Sequence, residues 1–117
     1  MEKYYPIIVN EEGTGFSIIN AGTAPTPCCL TLIPKAALNG ITITGLTIHP
    51  IEIKGHIDAY DVIVIDGENG EFKINNELKW GNYAGVELPR LLPGTNDITL
   101  TSASLFNIEA RFDLRYV

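Results

Sequence analysis

Apolar and polar positions alternate with a period of two over much of the chain, and no apolar stripe of 3.6-residue period lasts three turns. The last stretch is the cleanest. Phe106, Ile108, Ala110, Phe112, Leu114 and Tyr116 fall on one face, and Asn107, Glu109, Arg111, Asp113 and Arg115 on the other. Ile41-Thr42-Ile43-Thr44 alternates in the same way. Gly45 interrupts it as a bulge, and residues 46–48 and 51–53 continue the pattern around Pro50, which suits an edge strand or a bend. Asp61-Val62-Ile63-Val64-Ile65-Asp66 is apolar on both parities and predicts a central strand. Gly67-Glu68-Asn69-Gly70 then turns the chain and residues 71–75 return, a hairpin. Shorter strands are predicted at residues 4–9 (broken by the polar, glycine-containing stretch 10–15), at 16–19, at 28–33 with Pro34 as the stop, and at 98–101. Residues 20–27 read as a loop, because each proline pushes its predecessor into extended geometry. Residues 35–40 read as one helical turn or a loop, and regular structure thins out from 76 to 97.

Eight to ten short strands with turn signals about every ten residues predict an all-β fold, an antiparallel β-sandwich. Each strand carries one apolar face that a second sheet must cover. A small β-barrel is the alternative. Composition strengthens this, since Ile, Val and Thr supply 31 of 117 residues, with 11 Gly and 7 Pro as punctuation. Residues 1–117 read as one domain without linker, repeat or low-complexity tract.

Charge removes whole classes of partner. Fourteen acidic against 8 basic residues give a net charge of −6, which nucleic-acid phosphate and anionic membranes repel. No apolar run approaches the roughly 20 residues of a membrane-spanning helix. The opening residues show no basic region followed by an apolar one, so no secretory signal is expected.

Little in the sequence points to catalysis. Cys28 and Cys29 are adjacent and read as reduced, small apolar side chains on opposite faces of a strand, with a redox pair or half a metal site as the alternative. His49 and His56 are the only histidines and lack metal-ligand spacing, so no metal and no cofactor are expected. Asp66-Gly67-Glu68-Asn69-Gly70-Glu71 departs from calcium-loop spacing and reads as a solvated turn. Asp58, Asp61 and Asp66 offer carboxylate pairs of a kind any acidic chain offers, and Gly13-Thr14-Gly15 lacks the setting of a phosphate cradle. No catalytic residues are assigned. Trp80, Asn82 and Tyr83, with Asn76 nearby, are the ligand-binding candidates: exposed aromatics stack on sugar rings or partner proteins while amides bond hydroxyls. The alternative is that Trp80 caps one end of the core.

Four segments resemble a known family. Asn20-Ala21-Gly22-Thr23-Ala24-Pro25-Thr26-Pro27 before the strand Cys28-Cys29-Leu30-Thr31-Leu32 resembles the "N-x-G-T-x-x-x-P" opening of the C-terminal domain of siphophage tail components, the distal tail protein (Dit) family. Ile41-Thr42-Ile43-Thr44-Gly45-Leu46 falls where that family has its next strand, and Val62-Ile63-Val64-Ile65-Asp66 resembles its apolar strand ending in Asp. Leu88-Pro89-Arg90-Leu91-Leu92-Pro93-Gly94-Thr95-Asn96-Asp97-Ile98-Thr99 resembles its "F/L-P-x-L-x-P-G-x-N-x-I" signature. The similarity spans residues 16–116. In this reading Asn20, Gly22 and Asn96 are loop clamps bonding backbone groups. The resemblance implies a galectin-like or carbohydrate-binding-module-like sandwich and a non-enzymatic part of a phage or prophage tail. Its partners would be other tail and baseplate proteins, with bacterial wall carbohydrate as the alternative ligand. It also implies a homo-hexameric ring in the full-length parent, built by an N-terminal belt domain for which nothing before Tyr4 offers material. The isolated chain is then expected to be a monomer. The implied location is the virion tail tip, after assembly in the host bacterial cytoplasm.

Overall fold

The computed structural model describes residues 4–47, 49–85, 87–101 and 104–115. Ile48 of the expected 46–48 strand and Tyr116 of the expected last strand lie outside these residues.

Twelve strands are present among the described residues: β1 (Tyr4–Gly13), β2 (Gly15–Asn20), β3 (Thr26–Pro34), β4 (Leu38–Thr44), β5 (Ile51–Ile57), β6 (Ile63–Asp66), β7 (Glu71–Ile74), β8 (Glu77–Leu78), β9 (Tyr83–Ala84), β10 (Arg90–Leu91), β11 (Gly94–Thr101) and β12 (Phe106–Arg115). Three of these are two residues long, which leaves nine substantial strands, within the expected range. One 3-10 turn, Trp80–Asn82, joins β8 to β9. The strands form two antiparallel sheets packed as a sandwich. The first has the order β1-β12-β3-β6-β7-β8, with β10 also on β3, and the second β2-β11-β4-β5-β9. Both sheets are open, so the barrel alternative is set aside.

Period-two patterning turns directly into burial. Along β12, Phe106, Ile108, Ala110 and Phe112 point inward, and along β3, Thr26, Cys28, Leu30, Leu32 and Pro34 do. Ile18 of β2, Ile41 and Ile43 of β4, Ile51 and Ile53 of β5 and Ile98 and Leu100 of β11 supply the facing layer. All but Thr26 and Pro34 belong to a single apolar cluster. Each such side chain taken out of water contributes about 1.5–3 kcal/mol. The β6–β7 hairpin forms as the sequence predicts, in the register Ile63↔Ile74 to Asp66↔Glu71, and β6 lies between β3 and β7.

Five local expectations are corrected. β1 does not break at Asn10 but runs to Gly13, because β12 pairs with it rung for rung from Tyr4↔Arg115 to Gly13↔Phe106. The 20–27 loop ends early, since Thr26 and Pro27 already pair with Leu91 and Arg90. Residues 35–40 are no helical turn, for β4 starts at Leu38 opposite Ile57. Leu46 is in no strand, and the chain bends at residues 45–47. Gly45 is therefore not a strand bulge. The register shift between β4 and β5 falls at Gly40 and Gly55, each with φ +95°. Gly45 instead has φ +100° and lies so close to β11 that a β-carbon would overlap the Asp97 carbonyl oxygen.

Candidate functional site

Residues 88–93 form a strap that bridges the two sheets. Leu91 is fully buried and anchors it. The Pro89 carbonyl accepts from the Cys28 amide (3.1 Å), and the Leu91 carbonyl accepts from Asn20 Nδ2 (3.2 Å). Asn20 also donates to the Ala24 carbonyl and accepts from the Gly22 amide. Asn96 occupies an inward position on β11. Its Oδ1 accepts from the Leu92 amide (3.1 Å), and its Nδ2 lies within 3.4 Å of the Ile18, Leu92 and Gly94 carbonyls. Both asparagines are thus the backbone clamps the sequence suggests, and both grip the same strap. Gly67 allows the close approach, since a β-carbon there would overlap the Pro89 carbonyl oxygen. Hollows of about 260 and 220 Å3 flank the strap, one against Pro25, Pro27 and Leu88, the other against Leu46 and Leu92.

The three candidate residues meet at a corner where the chain crosses from the first sheet to the second. Trp80 and Tyr83 stand over the fully buried Phe72, with ring centroids 6.1 and 5.2 Å from it. They meet each other edge to face, 5.5 Å apart at 87°. Trp80 is 43% exposed and Tyr83 half-buried. The Tyr83 hydroxyl donates to the Glu87 carbonyl (2.6 Å), and burial, then the Glu87 charge, pushes its pKa up to about 12. Asn82 Nδ2 donates to the Lys54 carbonyl (2.8 Å). The amide of Asn82 and the phenol of Tyr83 are thus bonded to backbone, while Trp80 keeps an open ring. Asn76 sits in the β7–β8 turn with positive φ.

Beside Asn82, the β4–β5 irregularity leaves a hollow of about 380 Å3 on the outer face of the second sheet. Asn39, Gly40, Thr42, Glu52, Lys54 and Gly55 line it. Sequence reasoning missed this place. The signal was there in Gly40 and Gly55, isolated glycines inside strand patterns, which mark bulges.

The acidic candidates are engaged in their own turns. Asp66 accepts from the Glu68 and Asn69 amides and from Asn69 Nδ2. Partial burial works against ionisation, but these bonds outweigh it and hold the carboxyl below its usual range. Asp61 accepts from the Asp58 amide and Asn75 Nδ2, and Asp58 faces His56 Nε2 at 2.7 Å. Among the described residues no group of three or more His, Cys, Asp or Glu side chains could hold a metal ion.

Cys28 and Cys29 are free thiols on opposite faces, the first buried and the second half-buried. Burial, then the neighbouring Cys29, pushes the Cys28 pKa from 9.0 up to about 12, and burial followed by Asp66 raises Cys29. The thiolate is the reactive form, so both thiols should resist a thiol reagent at neutral pH, with Cys29 reacting first as pH rises. The shift also makes stability depend on pH. The unfolded Cys28 thiol ionises near 9 and the folded one only near 12, so the stabilising contribution is whole below pH 9 and fades as pH climbs toward 12. The urea midpoint is expected to fall across that window, and to fall less in Cys28→Ala. An unchanged midpoint from pH 9 to 12 would refute the assignment.

The family model for the C-terminal domain of siphovirus-type tail components matches residues 21–116, most of the chain. The chain belongs to this family: it is a distal tail protein domain of a phage tail, a structural component of the virion tail. The crystal structure of the Dit protein (gp 19.1) of phage SPP1, described as a paradigm of the hub adsorption apparatus in phages infecting Gram-positive bacteria, has the same fold. It aligns with a TM-score of 0.75 at 10% identity, over 99% of this chain and 49% of that one. The chain thus spans about half the length of that protein. No curated protein sequence matches it.

Proposed function

We propose that this domain is the peripheral part of a distal tail protein at the junction of tail tube and baseplate, contacting baseplate partners or the host surface without catalysing a reaction. Membership of the tail-component family carries this reading. The clamped strap supports it: a loop held by Leu91, Asn20 and Asn96 presents a fixed shape, and pre-ordered surfaces bind partners at lower entropic cost. In this reading the full-length parent forms a homo-hexameric ring, assembled in the host cytoplasm, and the domain by itself is monomeric. Light scattering of the isolated chain should give a mass near 12.8 kDa. A stable hexamer would refute that part. Gold particles bound to a tag on this domain should label the distal end of purified virion tails, and labelling along the tube or on the head would overturn the placement.

The second reading is recognition of bacterial wall glycan through Trp80, Asn82 and Tyr83. One observation favours it: Trp80 keeps a 43% exposed ring held edge to face against Tyr83. Binding to an array of wall polysaccharides that disappears in Trp80→Ala would support it, and silence across the array would remove it.

A further inference from the structure

We infer that the hollow over the β4–β5 irregularity is a binding groove for a neutral, polyhydroxylated ligand, an uncharged oligosaccharide, distinct from the ring of Trp80. The floor comes from the backbone. β4 and β5 pair regularly at Leu38↔Ile57 and Asn39↔His56, then again from Ile41↔Ile53, so Gly40 faces the pair Lys54-Gly55 across a bulge. Both glycines have φ +95°, which side chains rarely adopt, and neither carries a β-carbon to fill the space above. The wall toward the aromatic corner is fixed, because Asn82 donates to the Lys54 carbonyl and its amide stands where a Gly55 β-carbon would be 2.9 Å away.

The lining has unused hydrogen-bonding capacity. Thr42, Glu52 and Lys54 have no side-chain hydrogen bond or ion pair among the described residues, and the Asn39 amide nitrogen is likewise open while its Oδ1 faces His56 Nδ1 at 3.2 Å. One carboxylate, one ammonium, one hydroxyl and one amide sum to zero charge. They offer acceptors and donors side by side, which suits vicinal hydroxyls and suits neither an anion nor a cation. The hollow, about 380 Å3, is broad and open to solvent, a shape that suits a ligand laid across a sheet face. An added peptide strand would pair in the plane of the sheet, beside β4 or β5, and would leave the outward-facing Thr42, Glu52 and Lys54 side chains that line the hollow unused.

The inference rests on the tail-tip reading only for where such a sugar would be met; binding is tested on the isolated chain. The 15N-labelled protein is titrated with neutral glucose, galactose, rhamnose and N-acetylglucosamine oligomers. At least one should shift the amides of Gly40, Thr42 and Gly55 saturably, with a dissociation constant on the order of a millimolar. Thr42→Tyr fills the hollow with a strand-compatible residue and should abolish the shifts. Glu52→Gln should weaken binding about tenfold, with the rest of the spectrum unchanged in both variants. Absence of shifts with every oligomer, or shifts confined to Trp80 and Tyr83, would overturn the groove. Binding that survives Thr42→Tyr would do the same. Gold label away from the tail tip, with sugar binding intact, would overturn the placement alone.

Discussion

Gly45→Ala is expected to destabilise the domain by about 4 kcal/mol, a loss of roughly 15 °C in Tm for a chain of this size. Two costs add. The backbone at residue 45 has φ +100°, a region where a side chain costs about 1–2 kcal/mol. The new methyl group would also overlap the Asp97 carbonyl oxygen and come within 2.8 Å of its carbonyl carbon and 3.1 Å of the Ile98 Cα. These are backbone atoms of β11 and cannot swing aside as a side-chain tip would. Gly94 separates the two costs. Its φ is +98°, yet nothing stands within 4 Å of its missing β-carbon. Gly94→Ala should therefore lose only the conformational part. Equal losses in the two variants, read by thermal or urea unfolding, would show that the bend after β4 does not approach β11 as described.

Asn96→Ala should cost about 3 kcal/mol, because it strands the Leu92 amide and removes a donor shared among three carbonyls at a site 8% exposed. Asn96→Asp tests the chemistry further. It keeps the acceptor for Leu92 but sets a carboxylate against the carbonyls of Ile18, Leu92 and Gly94. Burial and those oxygens would raise the pKa of the new group in the folded state. The folded state would then bind more protons than the unfolded one, so this variant should gain stability as pH falls toward 4, while Asn96→Ala shows no such gain. A loss below about 0.5 kcal/mol in Asn96→Ala would mean that the strap is held by Leu91 and Asn20 alone.

Local chemistry made much of the fold legible in advance. Alternation identifies β12, because side-chain direction in a strand depends only on parity, and the Gly67–Gly70 turn after an apolar run identifies the β6–β7 hairpin. Asn20 and Asn96 could be read as clamps because Asx side chains next to Gly and Pro reach nearby backbone. Other features depend on partners far along the chain. Asn10, Glu11 and Glu12 look like a break in strand 4–13 and become a strand only because residues 107–109 lie opposite them. That both clamps hold one strap, and that the bulge falls at Gly40 and Gly55 rather than Gly45, are consequences of register between distant segments. Trp80, Asn82 and Tyr83 were found as neighbours in sequence. Phe72 and the Lys54 carbonyl, which organise them, come from other strands.

In the ladder between β1 and β12, Tyr4 lies opposite Arg115. Tension that separates those two residues would meet one rung at a time, opening the ladder like a zipper. Tension applied between Tyr4 and Phe106 instead runs along the strands and loads every rung at once. The same domain should therefore yield at low force when gripped at residues 4 and 115 and hold at much higher force when gripped at 4 and 106, a direction-dependent toughness that single-molecule pulling can read.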